Sequence, residues 1–423
     1  MLNNLNIFYN KKILIYGLGK SGLSVLKFFK KNKQVIVYDD KKKIEIKKIT
    51  NDRFDYIIIS PGIDINKCIL SKFLKKNSKN IYTDLDIFFT YYKKNKMITI
   101  TGTNGKSTTA KILYEVLKDQ KIDARLVGNI GNPVLSEKKV TNKTVFVIEA
   151  SSYQLEYSKL FKSNISLILN ISPDHLERHG TISKYVGAKF KLLKNQSKKD
   201  LAILNTKNFY IDREVKSKVF LPKLIKVKDK INNILLKKID NQYFNTHGNM
   251  ENLSFILEVA KVLKLKKNIL IKTLKKFKGL KYRQEIIFRS KKITIINDSK
   301  ATSFSSSASL LKSLTNVYWI VGGQAKKGDK LLLSKIDCKN FKAYIFGPNK
   351  KFFINKLKKI MRYEYFLDLK SLMKKLSSEI MVEKNITNKT ILFSPSGASF
   401  DNFENFEERG EYFNQLVKKY LYA

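Results

Sequence analysis

MITITGTNGKSTT, residues 97–109, is a short apolar run that breaks into a glycine-bearing turn and continues as a helix-forming segment. Strand, glycine turn and helix in that order place backbone N–H groups where they face a phosphate. Gly102, Thr103, Asn104 and Gly105 would cradle a triphosphate, Lys106 would reach its outer phosphates, and the Ser107 hydroxyl, next to Thr108, would join a Mg²⁺ shell. The general GxxxxGK[ST] pattern is met except at its first position, which is Ile100. A triphosphate and Mg²⁺ are the ligands this stretch leads us to expect.

Outward from that loop the chain alternates. Toward the amino terminus, KKILIYGLGKSGLSVLKFFKKNKQVIVYDD (residues 11–40) reads as one βαβ unit, with Gly17, Gly19 and Gly22 forming GxGxxG and Asp39 ending the second strand. That turn predicts a nucleotide phosphate without saying which nucleotide; a glycine turn kept only for packing is the competing reading. A strand at Tyr56–Ser60 runs into Pro61-Gly62, and a boundary falls at Lys93–Lys96. Beyond the loop, strands are expected at Thr144–Ile148 and Ile165–Asn170, edge strands and loops between Lys207 and Asn245, and a helix from Met250 to Leu263. A second boundary near Gly279 precedes strands at Ile293–Asn297, Val317–Val321, Ala343–Phe346 and Thr390–Ser394 and a closing helix. The fold class is therefore α/β in three domains with parallel sheets: a Rossmann-like domain at 1–94, a P-loop ATPase-like domain at 95–279 and a Rossmann-like domain at 280–423.

Two further stretches carry chemistry. Glu149 ends a strand beside the phosphate loop, where a carboxylate is a Mg²⁺ ligand or simply an acid at the start of the next helix. His175 and His179, two of only three histidines, have the i, i+4 spacing of a zinc pair. No HExxH pattern and no third soft ligand accompanies them, which argues against zinc.

The 423 residues are 43% hydrophobic and 12% aromatic, enough for packed cores despite a formal charge of +47. The excess is almost all lysine, spread along the chain. A base-reading surface would concentrate charge on one face and favour arginine, so no nucleic-acid partner is expected. Cys68 and Cys338 sit in no metal or CxxC spacing, which suits a reducing compartment. Without an apolar run of membrane-spanning length, no membrane insertion is expected and the cytoplasm is the expected location.

TGTNGKST (101–108), EASSYQLE (149–156), DHLER (174–178) and GAK (187–189) together resemble the Mur ligase family. NDSKAT (297–302), GGQAKKGD (322–329) and SPSGASFDNF (394–403), continuing through Phe406 to Arg409-Gly410, are similar to its D-glutamate-adding, MurD-type branch. The resemblance spans Gly17 to Arg409, and it separates the chain from folylpolyglutamate synthetases and from nicotinamide oxidoreductases, which would leave the second phosphate loop unexplained. It implies an ATP-dependent amide-forming ligase acting on UDP-N-acetylmuramoyl-L-alanine and D-glutamate, as a monomer.

By the same resemblance Glu149, His175 and a carbamylated Lys189 would hold Mg²⁺ with Ser107, and Lys106, His175 and Lys189 would be the catalytic set. Asn249, Arg283 and Asp298 would contact ATP. Ser21, Asp39, Gly62, Asn129 and Ser151 would hold the UDP-sugar. Lys300, Lys326, Thr302 and Ser399 would clamp the two carboxylates of D-glutamate, with Phe400 and Phe406 shaping the pocket. One departure stands out: Gly248 occupies the position where the family usually carries histidine, while Asn249 and Asn252 are retained. Altered adenine contacts follow from that.

Overall fold

The computed structural model describes residues 6–41, 46–227, 231–325, 329–382 and 388–421. Three sheets form in chain order. The first contains β1 (Ile13–Tyr16), β2 (Val35–Tyr38), β3 (Tyr56–Ile59) and β4 (Ile81–Tyr82), arranged β2-β1-β3-β4, all parallel. The second contains β5 (Lys96–Thr101), β6 (Ala124–Gly128), β7 (Val145–Glu149), β8 (Ile165–Ile168), β9 (Leu201–Leu204) and β10 (Lys223–Lys226), arranged β10-β9-β8-β5-β7-β6. The third contains β11 (Glu285–Arg289), β12 (Ile293–Asn297), β13 (Val317–Gly322), β14 (Phe341–Phe346), β15 (Arg362–Phe366) and β16 (Lys389–Phe393), arranged β11-β12-β16-β13-β14-β15.

The central strands read as unbroken apolar runs because helices cover both faces of a parallel sheet. Every residue of β1 is buried, as are Met97–Thr101 of β5. β5 lies between β7 and β8, the point at which the chain turns from one side of the sheet to the other, and ligands of such folds gather outside the strand ends there. β11 departs from the expected parallel pattern: it pairs antiparallel with β12 at the sheet edge.

By contacts the chain divides into two compact units, Met1–Asp240 with Glu251–Lys275, and Asn241–Met250 with Lys276–Ala423. In the first unit the first two sheets share one core, in which Phe8, Ile13, Val25 and Phe88 pack with Val127, Val134, Phe146 and Ile148. Asp86 pins the same junction: one oxygen accepts from Ser158 Oγ at 2.8 Å and from the N–H groups of Lys159, Leu160 and Phe161 at 2.9, 2.7 and 3.1 Å. The second unit buries Trp319, Val321 and Ile345 on one face of its sheet and Ile320, Tyr344 and Phe413 on the other.

The stretch Lys207–Asn245, expected as edge strands and loops, instead holds helices Phe209–Ser217 and Asn233–Ile239 around strand β10. Asn208 and Asn232 cap them by accepting from Ile211 N and Ile234 N. Each helix is short and buries only one residue, Ile211 or Ile239. Among the described residues no helix is long and apolar enough to cross a membrane.

Candidate active site

The phosphate loop leaves the end of β5 with Gly102 at φ 152° and Gly105 at φ 83°. A Cβ on Gly105 would stand 2.2 Å from Asn252 Oδ1, so both the backbone angle and the space require glycine. Asn170, at the end of β8, straps the loop: its carbonyl accepts from Thr103 N at 2.8 Å and its Oδ1 from Asn104 N at 2.9 Å. The helix Lys106–Asp119 then begins with no side-chain cap on its N–H groups, and Lys106 Nζ arches over the loop to Gly102 O and Thr103 O at 2.8 and 2.7 Å. Thr101 Oγ1 and Ser172 Oγ flank the turn, buried and without a hydrogen-bond partner. Uncapped N–H groups, an ammonium and orphan hydroxyls around a glycine turn fit a triphosphate.

Glu149 is fully buried at the end of β7. Its Oε2 accepts from Ser107 Oγ at 2.6 Å and its Oε1 from Asn129 Nδ2 at 2.8 Å. One carboxylate beside one hydroxyl at the phosphate loop fits Mg²⁺, which takes few protein oxygens and completes its shell with water and phosphate. Among the described residues no group of three or more His, Cys, Asp or Glu is disposed to hold a metal.

His175 sits in the left-handed region at φ 54°, immediately before the short helix Leu176–His179, and its Nδ1 meets Tyr153 OH at 2.9 Å. Lys189 is 1% exposed; its Nζ donates to Gly102 O at 2.7 Å and lies over the Tyr185 ring, whose hydroxyl meets Thr103 Oγ1 at 3.1 Å. Burial, then the neighbouring Lys106 charge, lowers the Lys189 pKa well below the usual lysine value. His179 is buried with Nε2 at 3.0 Å from Ser152 Oγ, and burial brings its pKa down to about 4, so it is a neutral packing residue.

The first sheet places the other expected substrate residues. Asp39 caps the glycine turn, accepting from Leu18 N at 2.6 Å and Lys41 N at 3.0 Å. A Cβ on Gly17 or Gly22 would strike Ser60 or Gly17 O, whereas Gly19 faces open space. Packing therefore explains two of the three glycines and leaves Gly19 for ligand approach. Ser21 bonds the buried Asp84, and the Gly62 carbonyl faces Arg178 Nη1 at 3.4 Å. Ser151 forms a reciprocal cap with Gln154 on the helix Ser152–Glu156, a structural duty.

In the second unit the ends of adjacent strands β12, β16 and β13 bring together Asp298, Ser394 and Gly322. Asp298 accepts from Ser394 Oγ at 2.9 Å and Gln284 N at 3.1 Å, and its burial raises the carboxyl pKa to about 7. Asn249 Nδ2 reaches Tyr243 O and Gln284 Oε1 at 2.9 and 3.2 Å. Lys300 Nζ lies 4.0 Å from the Phe406 ring centroid and the Arg283 guanidinium 5.8 Å from it. Thr302 is half-buried, Ser399 is buried and Phe400 is 72% exposed. Lys326 lies outside the described residues.

Sequence reasoning gave no role to Asn170, Tyr153, Tyr185 or Arg409. The last is fully buried and joins two loops, through Ser299 O at 2.6 Å and Gly397 O at 2.9 Å. Its place inside a matched block was the available signal; that an arginine there is buried was not visible.

A phosphate-loop domain with a strand-end carboxylate, next to a glycine-turn domain, defines a nucleotide-using enzyme of the Mur ligase class, and residues 100–267 match the Mur ligase middle domain. The fold agrees. The MurC ligase of Thermotoga maritima aligns with TM-score 0.56 and 17% identity over 97% of this chain and 99% of that one. The MurF ligase of the same organism, solved with ADP, aligns with TM-score 0.54 and 14% identity over 96% and 95%. The UDP-N-acetylmuramoylalanine–D-glutamate ligase of Rickettsia felis is 33% identical over 98% of this chain and 99% of its own. The chain belongs to the UDP-N-acetylmuramoylalanine–D-glutamate ligase family.

Proposed function

We infer that this chain joins the amine of D-glutamate to the L-alanyl carboxylate of UDP-N-acetylmuramoyl-L-alanine in an ATP- and Mg²⁺-dependent reaction of peptidoglycan assembly. Identity of 33% over nearly the full length to a ligase of that name supports the reaction, and the Ser107–Glu149 pair at the foot of the phosphate loop is the observation that carries it. The carboxylate would be activated as an acyl phosphate, then attacked by the amine. Bound Mg²⁺ would draw charge from the phosphate oxygens. Lys106 and the uncapped N–H groups of its helix would hold the transferring group, at a fixed position and without reorganisation. Glu149, Ser107, His175 and Lys189 are our assignment for the metal shell, with Lys189 as its carbamate. A lysine amine whose pKa is lowered by burial presents the neutral form that adds to CO₂.

We assign the uridine nucleotide to Ser21, Asp39, Gly62 and Asn129, and Ser151 to the UDP-sugar. D-glutamate goes to Lys300, Thr302, Lys326, Ser399, Phe400 and Phe406, and adenine nucleotide contacts to Asn249, Arg283 and Asp298. The domains 1–94, 95–279 and 280–423 divide these tasks in that reading. A cytoplasmic monomer fits substrates made and used with ATP. Phosphate release from ATP and Mg²⁺ tests the proposal: it should require UDP-N-acetylmuramoyl-L-alanine and D-glutamate together and fail with L-glutamate. Release that ignores the UDP-sugar, or is equal with L-glutamate, would refute it.

A further inference from the structure

His175 is held in a conformation that a residue with a Cβ avoids, immediately before a four-residue helix too short to hold itself. Such strain persists only where the surroundings over-determine it. The surroundings converge on Arg178. Its side chain is 8% exposed. Nη2 donates to Ile63 O at 2.6 Å and Nη1 to Gly62 O at 3.4 Å, while Nε and Nη2 both reach Glu156 Oε2, at 3.1 and 2.9 Å. The guanidinium also lies 5.1 Å from the centroid of Tyr153, the ring whose hydroxyl holds His175 Nδ1. A second bridge runs in parallel, from Lys67 Nζ to Glu177 O at 2.8 Å. One turn of backbone thus carries His175 at its start and is fastened at two points to the Gly62–Lys67 loop of the first sheet.

We propose that Arg178 is a positioning residue that transmits occupancy of the Gly62–Ile63 loop by the UDP-sugar to His175 in the metal shell. The inference rests on the uridine and metal assignments made above. A ligand that shifts the Gly62 and Ile63 carbonyls moves the guanidinium, and with it the Tyr153 ring and the helix that set the His175 imidazole. Arginine is required because one planar fork must serve two carbonyls and a carboxylate at once; a lysine keeps the charge and loses the fork. Transmission of this kind is a coupling between two sites and is reciprocal.

The test uses the full chain and the Arg178→Lys variant, with Lys67→Met as a second variant on an exposed side chain. With only three histidines, the His175 imidazole resonance can be followed by NMR during titration with UDP-N-acetylmuramoyl-L-alanine, without ATP or metal. It should move in the wild type, move by about half as much or less in Lys67→Met, and stay in place in Arg178→Lys. In phosphate release, Arg178→Lys should raise the KM for the UDP-sugar and the Mg²⁺ requirement about tenfold each, with the KM for D-glutamate changed less than about twofold. A His175 resonance that ignores the bound UDP-sugar in the wild type overturns the proposal. So does an Arg178→Lys enzyme that matches the wild type, or one whose kinetic constants all shift together with a fall in Tm. Direct measurement of UDP-sugar binding to the wild type separates these results from a failure of the functional reading itself.

Discussion

Lys189 places an amine in a fully buried position, donating to one carbonyl and lying over one ring face beside a second lysine, where burial favours its neutral form. Burying a lysine amine costs stability even with the Asp174 and Glu149 carboxylates acting on it, so the residue is kept for chemistry. Lys189→Met, which fills the same volume without charge, should raise Tm by about 2–4 °C while reducing phosphate release at least about a hundredfold. An unchanged rate would remove Lys189 from the catalytic set. Asp298 offers a pH test. Its folded pKa is raised from 3.8 to about 7, so the native state keeps a proton that the unfolded chain releases across that window. Stability from this group is present below 3.8 and is lost as pH rises toward about 7. Urea denaturation of Asp298→Asn should lack that decline, giving a variant more stable than wild type at pH 8 by on the order of a few kcal/mol. A wild-type curve equally steep with asparagine in place would show that other groups set the slope.

The glycine turns show how an element can meet two demands. Gly22 lies in the helix Lys20–Phe28 so close to the turn that a Cβ would come within 1.8 Å of Gly17 O. Gly22→Ala should therefore cost about 3 kcal/mol or more by chemical denaturation. Gly19, the N-cap of the same helix with open space around it, should tolerate alanine within about 1 kcal/mol yet lose affinity for the UDP-sugar in direct binding. If both alanines merely destabilise, or if Gly19→Ala binds normally, the turn serves packing alone. Much of this level was legible. The strand, turn and helix around residues 97–109 and 11–40 follow from spacing that spans a few residues, and β12 matches the expected Ile293–Asn297 to the residue. The short helices near residues 209 and 233 were missed, although their asparagine caps are local signals, because each is short and buries only one side chain.

Across the whole molecule the +47 charge is a solvation property of a lysine surface, while the apolar cores lie beneath it. Like charges at this density repel within each compact unit, and salt screens them with a Debye length of about 10 Å at 0.1 M. Tm should rise by several degrees between about 0.01 and 0.2 M NaCl, and any DNA binding seen at low salt should vanish over the same range. A Tm that falls with salt would mean that attractive ion pairs dominate; DNA binding that survives would revive a polyanion site.

What the sequence by itself determined is the set of local devices. The class of each domain, both glycine loops, the strand-end carboxylate and the family-specific blocks can all be read without a structure. Each is written in neighbouring residues, since strand period, turn glycines and helix caps act over one or two turns of chain. Only the tertiary structure decided which devices meet. Asn129 bonds Glu149 20 positions away, Arg178 reaches Gly62 across 116, and Asn252 bonds Thr109 across 143 while crowding Gly105. Burial likewise separates His179, a packed neutral ring, from His175, a strained one, though both stand in the same ten residues. Hydrogen bonding and desolvation depend on what the rest of the chain brings to a side chain, and no local spacing encodes that.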